Sequence, residues 1–122
     1  MANAQSRSKP TILLLADRRQ SRTARILKTS GYALMTTYTP DHAVAICVNN
    51  RVDAVVLDQS HFVETEGWSV AQSIKLIRRS ICVILVVRGK LVAKDLPEGV
   101  DAMVGDPDQE GLIEKLQTLL EL

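Results

Sequence analysis

Three aspartates stand immediately behind short apolar runs: Asp17 after Thr11–Ala16, Asp58 after "DAVVL", and Asp106 after "DAMVG". Arginines sit close by in sequence, with Arg18 and Arg19 following Asp17 and Arg88 following Ile81–Val87. Carboxylates brought to one place do one of two things. They bind a hard cation such as Mg2+, or they supply a nucleophilic or basic oxygen. Arginines in the same place have a third effect, because a guanidinium pairs bidentately with a carboxylate and fills the site from within. Other chemistry is poorly supplied. His42 and His61 have no partners at zinc-ligand spacing. His61 reads as a solvated loop residue, and no Ser–His or Cys–His arrangement offers an oriented nucleophile, so an enzyme is not expected. Cys47 and Cys82 lie inside apolar runs and read as buried free thiols.

The elements that must position these acids follow from the hydrophobic pattern. Thr11–Ala16, Asp53–Asp58, Ile81–Val87 and Asp101–Gly105 are apolar and too short for helices, and Tyr32–Tyr38 is rich in β-branched and aromatic residues. Continuous apolar runs of this kind belong to strands buried on both faces, as in a parallel sheet. Ile81–Val87 is the most hydrophobic and is expected to be central. Helical segments alternate with them. One runs from Arg18 to Ser30 and stops at Gly31. A second opens at Pro40–Asp41 and carries Ala43, Val44, Cys47 and Val48 on one side. A third presents Val70, Ala71, Ile74 and Ile77 after a polar loop from Gln59 to Gly67. Gly89–Gly99 has room for a turn or two, and Leu112, Ile113, Leu116, Leu119 and Leu120 mark a final amphipathic helix. Trp68 reads as half-buried packing at the start of the third helix. The sum is an α/β domain over residues 11–122, a parallel sheet covered on both faces, with a loose tail at 1–10. In such a sheet functional groups collect beyond the carboxyl ends of the strands. That rule selects Asp17, Asp58, Val87–Arg88 and Asp106–Pro107.

Composition narrows the class. The 122 residues are 46% apolar, enough for one globular domain. Fifteen basic residues against fourteen acidic ones argue against a dedicated nucleic-acid or anionic-membrane binder. The longest apolar stretch has seven residues, Ile81–Val87, too few to span a bilayer. With no signal pattern, cytoplasmic is the default location. Charge is nevertheless polarised: residues 1–30 hold seven bases and one acid, and residues 91–122 hold eight acids and two bases. First and last helices packed side by side would let these faces pair; otherwise each is a surface able to select a partner. A cofactor binder on the same sheet topology could use Ser21 and Thr23 on a phosphate. Its loop lacks the necessary glycine, however, and aromatics are only 3%, so no organic cofactor is expected.

The order of elements, Asp17 after the first strand, Asp58 after "DAVVL", Gly99 before "VDAMVGDP" and the terminal helix resemble response-regulator receiver domains of two-component signalling. The resemblance spans nearly all of Thr11–Leu122 and implies the flavodoxin-like receiver fold, a doubly wound five-stranded sheet of order 2-1-3-4-5. It also implies that Asp58 corresponds to the aspartate that accepts a phosphoryl group from a histidine kinase, and Asp17 to a direct Mg2+ ligand. The rest of the family motif is altered. Ala16 stands where the family has a further acid, and Val87 where it has the Ser/Thr that follows the phosphoryl group. Arg88 replaces a small residue, Asp106 the lysine before proline, and Met103 the aromatic switch residue.

Lysine replaced by Asp106 swings the local charge by two units. Each unit is worth roughly 3 kcal/mol at ~5 Å and an effective dielectric of ~20, before screening. Val87 cannot donate a hydrogen bond. Two compensations are open: Asp106 joins Asp17 and Asp58 as a metal ligand, or Arg18, Arg19 or Arg88 fills the site. The expectation is therefore a degenerate, stand-alone receiver-like module with weak or absent Mg2+, working by docking to a histidine kinase or downstream effector. The alternative is a functional Mg2+-dependent phosphoacceptor. Similar domains also form homodimers through the last helix and strand. DNA binding is not expected, since no DNA-binding segment is legible in the sequence.

Overall fold

Strands form where the apolar runs predict them, because residues buried on both faces satisfy their backbone only through neighbouring strands. In the computed structural model, which describes residues 9–16, 22–58, 64–87, 98–105 and 110–120 (backbone alone at 64–68 and 110), five strands make one sheet. They are β1 (Thr11–Leu15), β2 (Ala33–Thr37), β3 (Ala54–Asp58), β4 (Cys82–Val87) and β5 (Ala102–Gly105). Every pairing is parallel and the order is β2-β1-β3-β4-β5. The middle strand is thus β3, buried along its whole length. The more hydrophobic β4 is interior but one place off centre.

Four helices are seen among the described residues: α1 (Arg22–Thr29), α2 (Pro40–Asn49), α3 (Glu64–Ile77) and α4 (Glu110–Leu120). Strand side chains alternate between two faces, and the core divides accordingly. Leu13, Leu15, Val55, Leu57, Val83 and Leu85 pack with Ala43 and Cys47 of α2 and with Val70, Ala71 and Ile74 of α3. Ile12, Leu14, Val56, Ile84, Val86 and Val104 pack on the other face with Leu27 of α1 and with Leu112 and Leu116 of α4. Helices cover both faces, as expected.

Helix ends show the local reasons. After α1 the Gly31 N–H donates to Lys28 O (3.0 Å) and the Tyr32 N–H to Leu27 O (3.4 Å), a Schellman pair that needs the positive φ of +92° at Gly31. Thr39 caps α2 by accepting from the His42 N–H at 3.2 Å, with Pro40 in the first turn. Some expectations shift. Helix α1 begins at Arg22, and the stretch 18–21 lies outside the described residues. Helix α3 starts at Glu64, inside the segment read as a polar loop. Val48 does not join the apolar side of α2 but is 52% exposed; Ile46 packs against the core instead. The tail at 1–8, the 88–97 segment and Trp68's side chain lie outside the described residues. No helix among the described residues is long and apolar enough to cross a membrane.

Candidate functional site

The carboxyl ends of the strands lie side by side, so the sheet edge can be read across as Thr37, Ala16, Asp58, Val87 and Gly105. The register fixes this: Leu15 pairs with Thr37 and with Leu57, Asp58 with Val86, and Val87 with Gly105. Ala16 extends the edge by donating its N–H to Thr37 O at 3.1 Å. Alternation along β3 turns Asp58 to the face of Val56, where α1 packs. There the Thr23 hydroxyl donates to Asp58 Oδ2 at 3.3 Å, and both side chains are buried, at 1% and 4% exposure. Ala16, which the sequence resemblance aligns with an acid, is buried on the same face.

Val87 and Met103, expected from the sequence resemblance to stand at switch positions, sit on the opposite face. Val87 and Met103 are half-buried and both pack against the cluster that contains Leu57, Leu85 and α3. Met103 pairs with Leu85, one strand away and two residues back from Val87. Neither side chain offers a hydrogen-bond donor. Thr37 adds a buried hydroxyl at the end of β2 that has no hydrogen-bond partner among the described residues.

Asp58, Ala16, Val87 and Met103 are thus brought to the edge or just behind it. Asp17, Arg18, Arg19, Arg88 and Asp106 lie outside the described residues, as do Ser21 and His61. Of the three acids expected around Mg2+, the described residues contain Asp58 alone, and no cluster of three metal-ligating side chains occurs among them. The cysteines are free. Cys47 is fully buried as expected, whereas Cys82, at the start of β4, is only half-buried. Burial pushes both thiols up; nearby Arg78 partly offsets it for Cys47, while Asp101 adds to it for Cys82.

Two acids at the opposite, amino end of the sheet have a different part, which the sequence reading overlooked by counting them as strand residues. Asp53 donates its N–H to Thr11 O (2.9 Å) and accepts the Thr11 N–H on Oδ2 (2.8 Å). Asp101 repeats this with Val83, at 2.8 Å in both directions. Lys75 then pairs with Asp101 Oδ2 at 2.7 Å and donates to Ile81 O at 2.8 Å. The signal was an acid immediately before each apolar run. A groove of about 480 Å³ lined by Lys75, Leu76, Arg79, Glu98 and Asp101 is also at this end, away from Asp58.

No protein-family model matches the chain, and no curated protein matches it. Solved structures do. The CheY-like response regulator receiver domain protein of Methanospirillum hungatei is 23% identical, with 93% of this chain and 95% of that one covered and a TM-score of 0.77. Response regulator TrrA of Thermotoga maritima, solved with Mg2+-BeF, is 24% identical, with 90% and 98% covered and a TM-score of 0.76. The receiver domain of the TMAO respiratory response regulator TorR is 24% identical, with 91% and 96% covered and a TM-score of 0.73. The chain has the receiver fold.

Proposed function

We propose that this chain is a receiver-like interaction module of two-component signalling that keeps the acceptor position, Asp58, and has lost the activation chemistry around it. The observation that carries this reading is the apolar pair on the far side of the edge. Val87 and Met103 pack into the core where the receiver mechanism needs a hydroxyl to follow a phosphoryl group and an aromatic side chain to move with it. Asp106 in place of a lysine, and Ala16 in place of an acid, add to it. With Asp106 for a lysine and Ala16 for an acid, a developing phosphoryl charge would meet as many negative groups and one fewer positive group than the family supplies. The module would then act by presenting its surface to a kinase or effector, without turnover and without an organic cofactor.

A second reading rests on Asp58 itself, buried at the end of the middle strand, which the sequence resemblance makes the acceptor, and on the Mg2+-BeF complex of TrrA. In that reading Asp17 and Asp58, with Asp106 as a third ligand, hold Mg2+ and a histidine kinase phosphorylates Asp58. A Mg2+ titration followed by amide NMR separates the two. Our reading predicts no saturable shift at the amides of Ala16, Asp58 and Val87 at millimolar Mg2+. Saturable shifts confined to those amides would favour the phosphoacceptor.

A further inference from the structure

The hydrogen bond from Thr23 to Asp58 joins an α1 side chain to a β3 carboxylate 35 residues away, in a place sealed from solvent. Across the sheet, the side chains of Val87 and Met103 are apolar and pack against the other core cluster. We infer that the state of Asp58 is read out through Thr23 into helix α1, and not through β4 and β5. The inference rests on the reading of Asp58 as the acceptor position of this fold.

The geometry of α1 suits such a route. Thr23 and Leu27, four residues apart, share its inner face and are the two residues it buries. Arg22, Arg25 and Lys28 are exposed on the outer side, with no ion pair to the described acids. Helix α1 contains no acid. A buried hydroxyl donating to a carboxylate stabilises the charged acceptor. Anything that neutralises that acceptor weakens the bond from Thr23, anything that removes it breaks the bond, and either loosens the turn that carries Arg22 and Arg25. The surface so affected is cationic, so the partner able to sense the change is an anionic protein segment. Thr23 is a positioning residue here: it acts through Asp58 and through the helix it anchors.

The test uses the full chain and amide hydrogen exchange. Asp58→Ala should speed exchange in Arg22–Thr29 about fivefold, the effect of losing one buried hydrogen bond, and leave Ala102–Gly105 unchanged. In a Thr23→Val background the same Asp58→Ala change should add nothing to α1, and Thr23→Ser should restore the coupling. The inference is overturned if α1 ignores Asp58→Ala, if β5 responds more strongly than α1, or if the two substitutions act independently. Should Thr23→Val fail to fold, the Asp58→Ala comparison between α1 and β5 still decides. A phosphoryl adduct on Asp58 would overturn the docking-module reading and leave this inference standing, whereas an unresponsive α1 would do the reverse.

Discussion

The two ends of the sheet use the same side chain for opposite purposes. At the amino end, Asp53 and Asp101 each close a reciprocal pair with the neighbouring strand, at 2.8–2.9 Å, and Asp101 also holds Lys75 at 2.7 Å. Their carboxylates substitute for missing ladder partners where a strand begins, which is a structural task. At the carboxyl end, Asp58 receives a longer contact of 3.3 Å from Thr23, and the Thr37 hydroxyl has no partner among the described residues. An end tied together by short bonds is built for stability. At the carboxyl end the acid instead reaches a side chain on a helix. The polarity of a parallel sheet explains the division, since loops at the carboxyl ends are free to vary while the amino ends anchor the strands.

The largest expected effect breaks the amino end. Asp101→Ala leaves the Val83 N–H without its acceptor and removes the ion pair of Lys75, which keeps its bond to Ile81 O, and should cost about 3 kcal/mol in denaturant unfolding. Asp101→Asn, which keeps an acceptor but no charge, should recover about half of that. Next comes Gly99, which enters β5 with φ +89° and whose added Cβ would lie 3.1 Å from the backbone of Ala71 and Gln72. Gly99→Ala should lower stability by about 2 kcal/mol in the same assay, since both the conformation and the neighbouring helix resist it. The carboxyl end should answer in the opposite direction. Thr37→Val removes a hydroxyl that has no partner among the described residues and keeps the shape, so it should be neutral or stabilise by up to about 1 kcal/mol. A Thr37→Val that destabilises by as much as Asp101→Ala would erase the contrast between the ends.

The smallest effect is chemical. Asp101 contributes to holding the Cys82 thiol above its ordinary range. In Asp101→Asn the thiol falls back toward that range, more thiolate is present at mildly alkaline pH, and alkylation of Cys82 should quicken a few-fold. Cys47, fully buried, should remain the slower of the two in the folded protein. An unchanged Cys82 rate would mean that burial alone sets its reactivity.

Much of this was readable from residue types. Five short apolar runs separated by amphipathic segments imply parallel strands, and an acid closing such a run marks the edge where Asp58 lies. What the sequence concealed depends on contacts distant along the chain. Thr23 was readable as a phosphate contact, but its partner lies on another element. Its i, i+4 spacing to Leu27 was the available clue that it faces inward. Val48 continues the apolar pattern of α2 and yet is exposed, because the buried stripe of that helix is only as wide as Ala43 and Cys47, with Val44 and Ile46 at its margins. Asp53 and Asp101 looked like strand residues because periodicity does not separate the last loop residue from the first paired one.

The central claim, that the acceptor position survives without its chemistry, is tested most directly by intact mass. The folded protein would be incubated with a small phosphodonor, with and without Mg2+, beside an Asp58→Asn control. The account predicts no phosphoryl adduct under either condition. A Mg2+-dependent adduct on the native chain, absent from Asp58→Asn, would contradict it and make this domain a working switch.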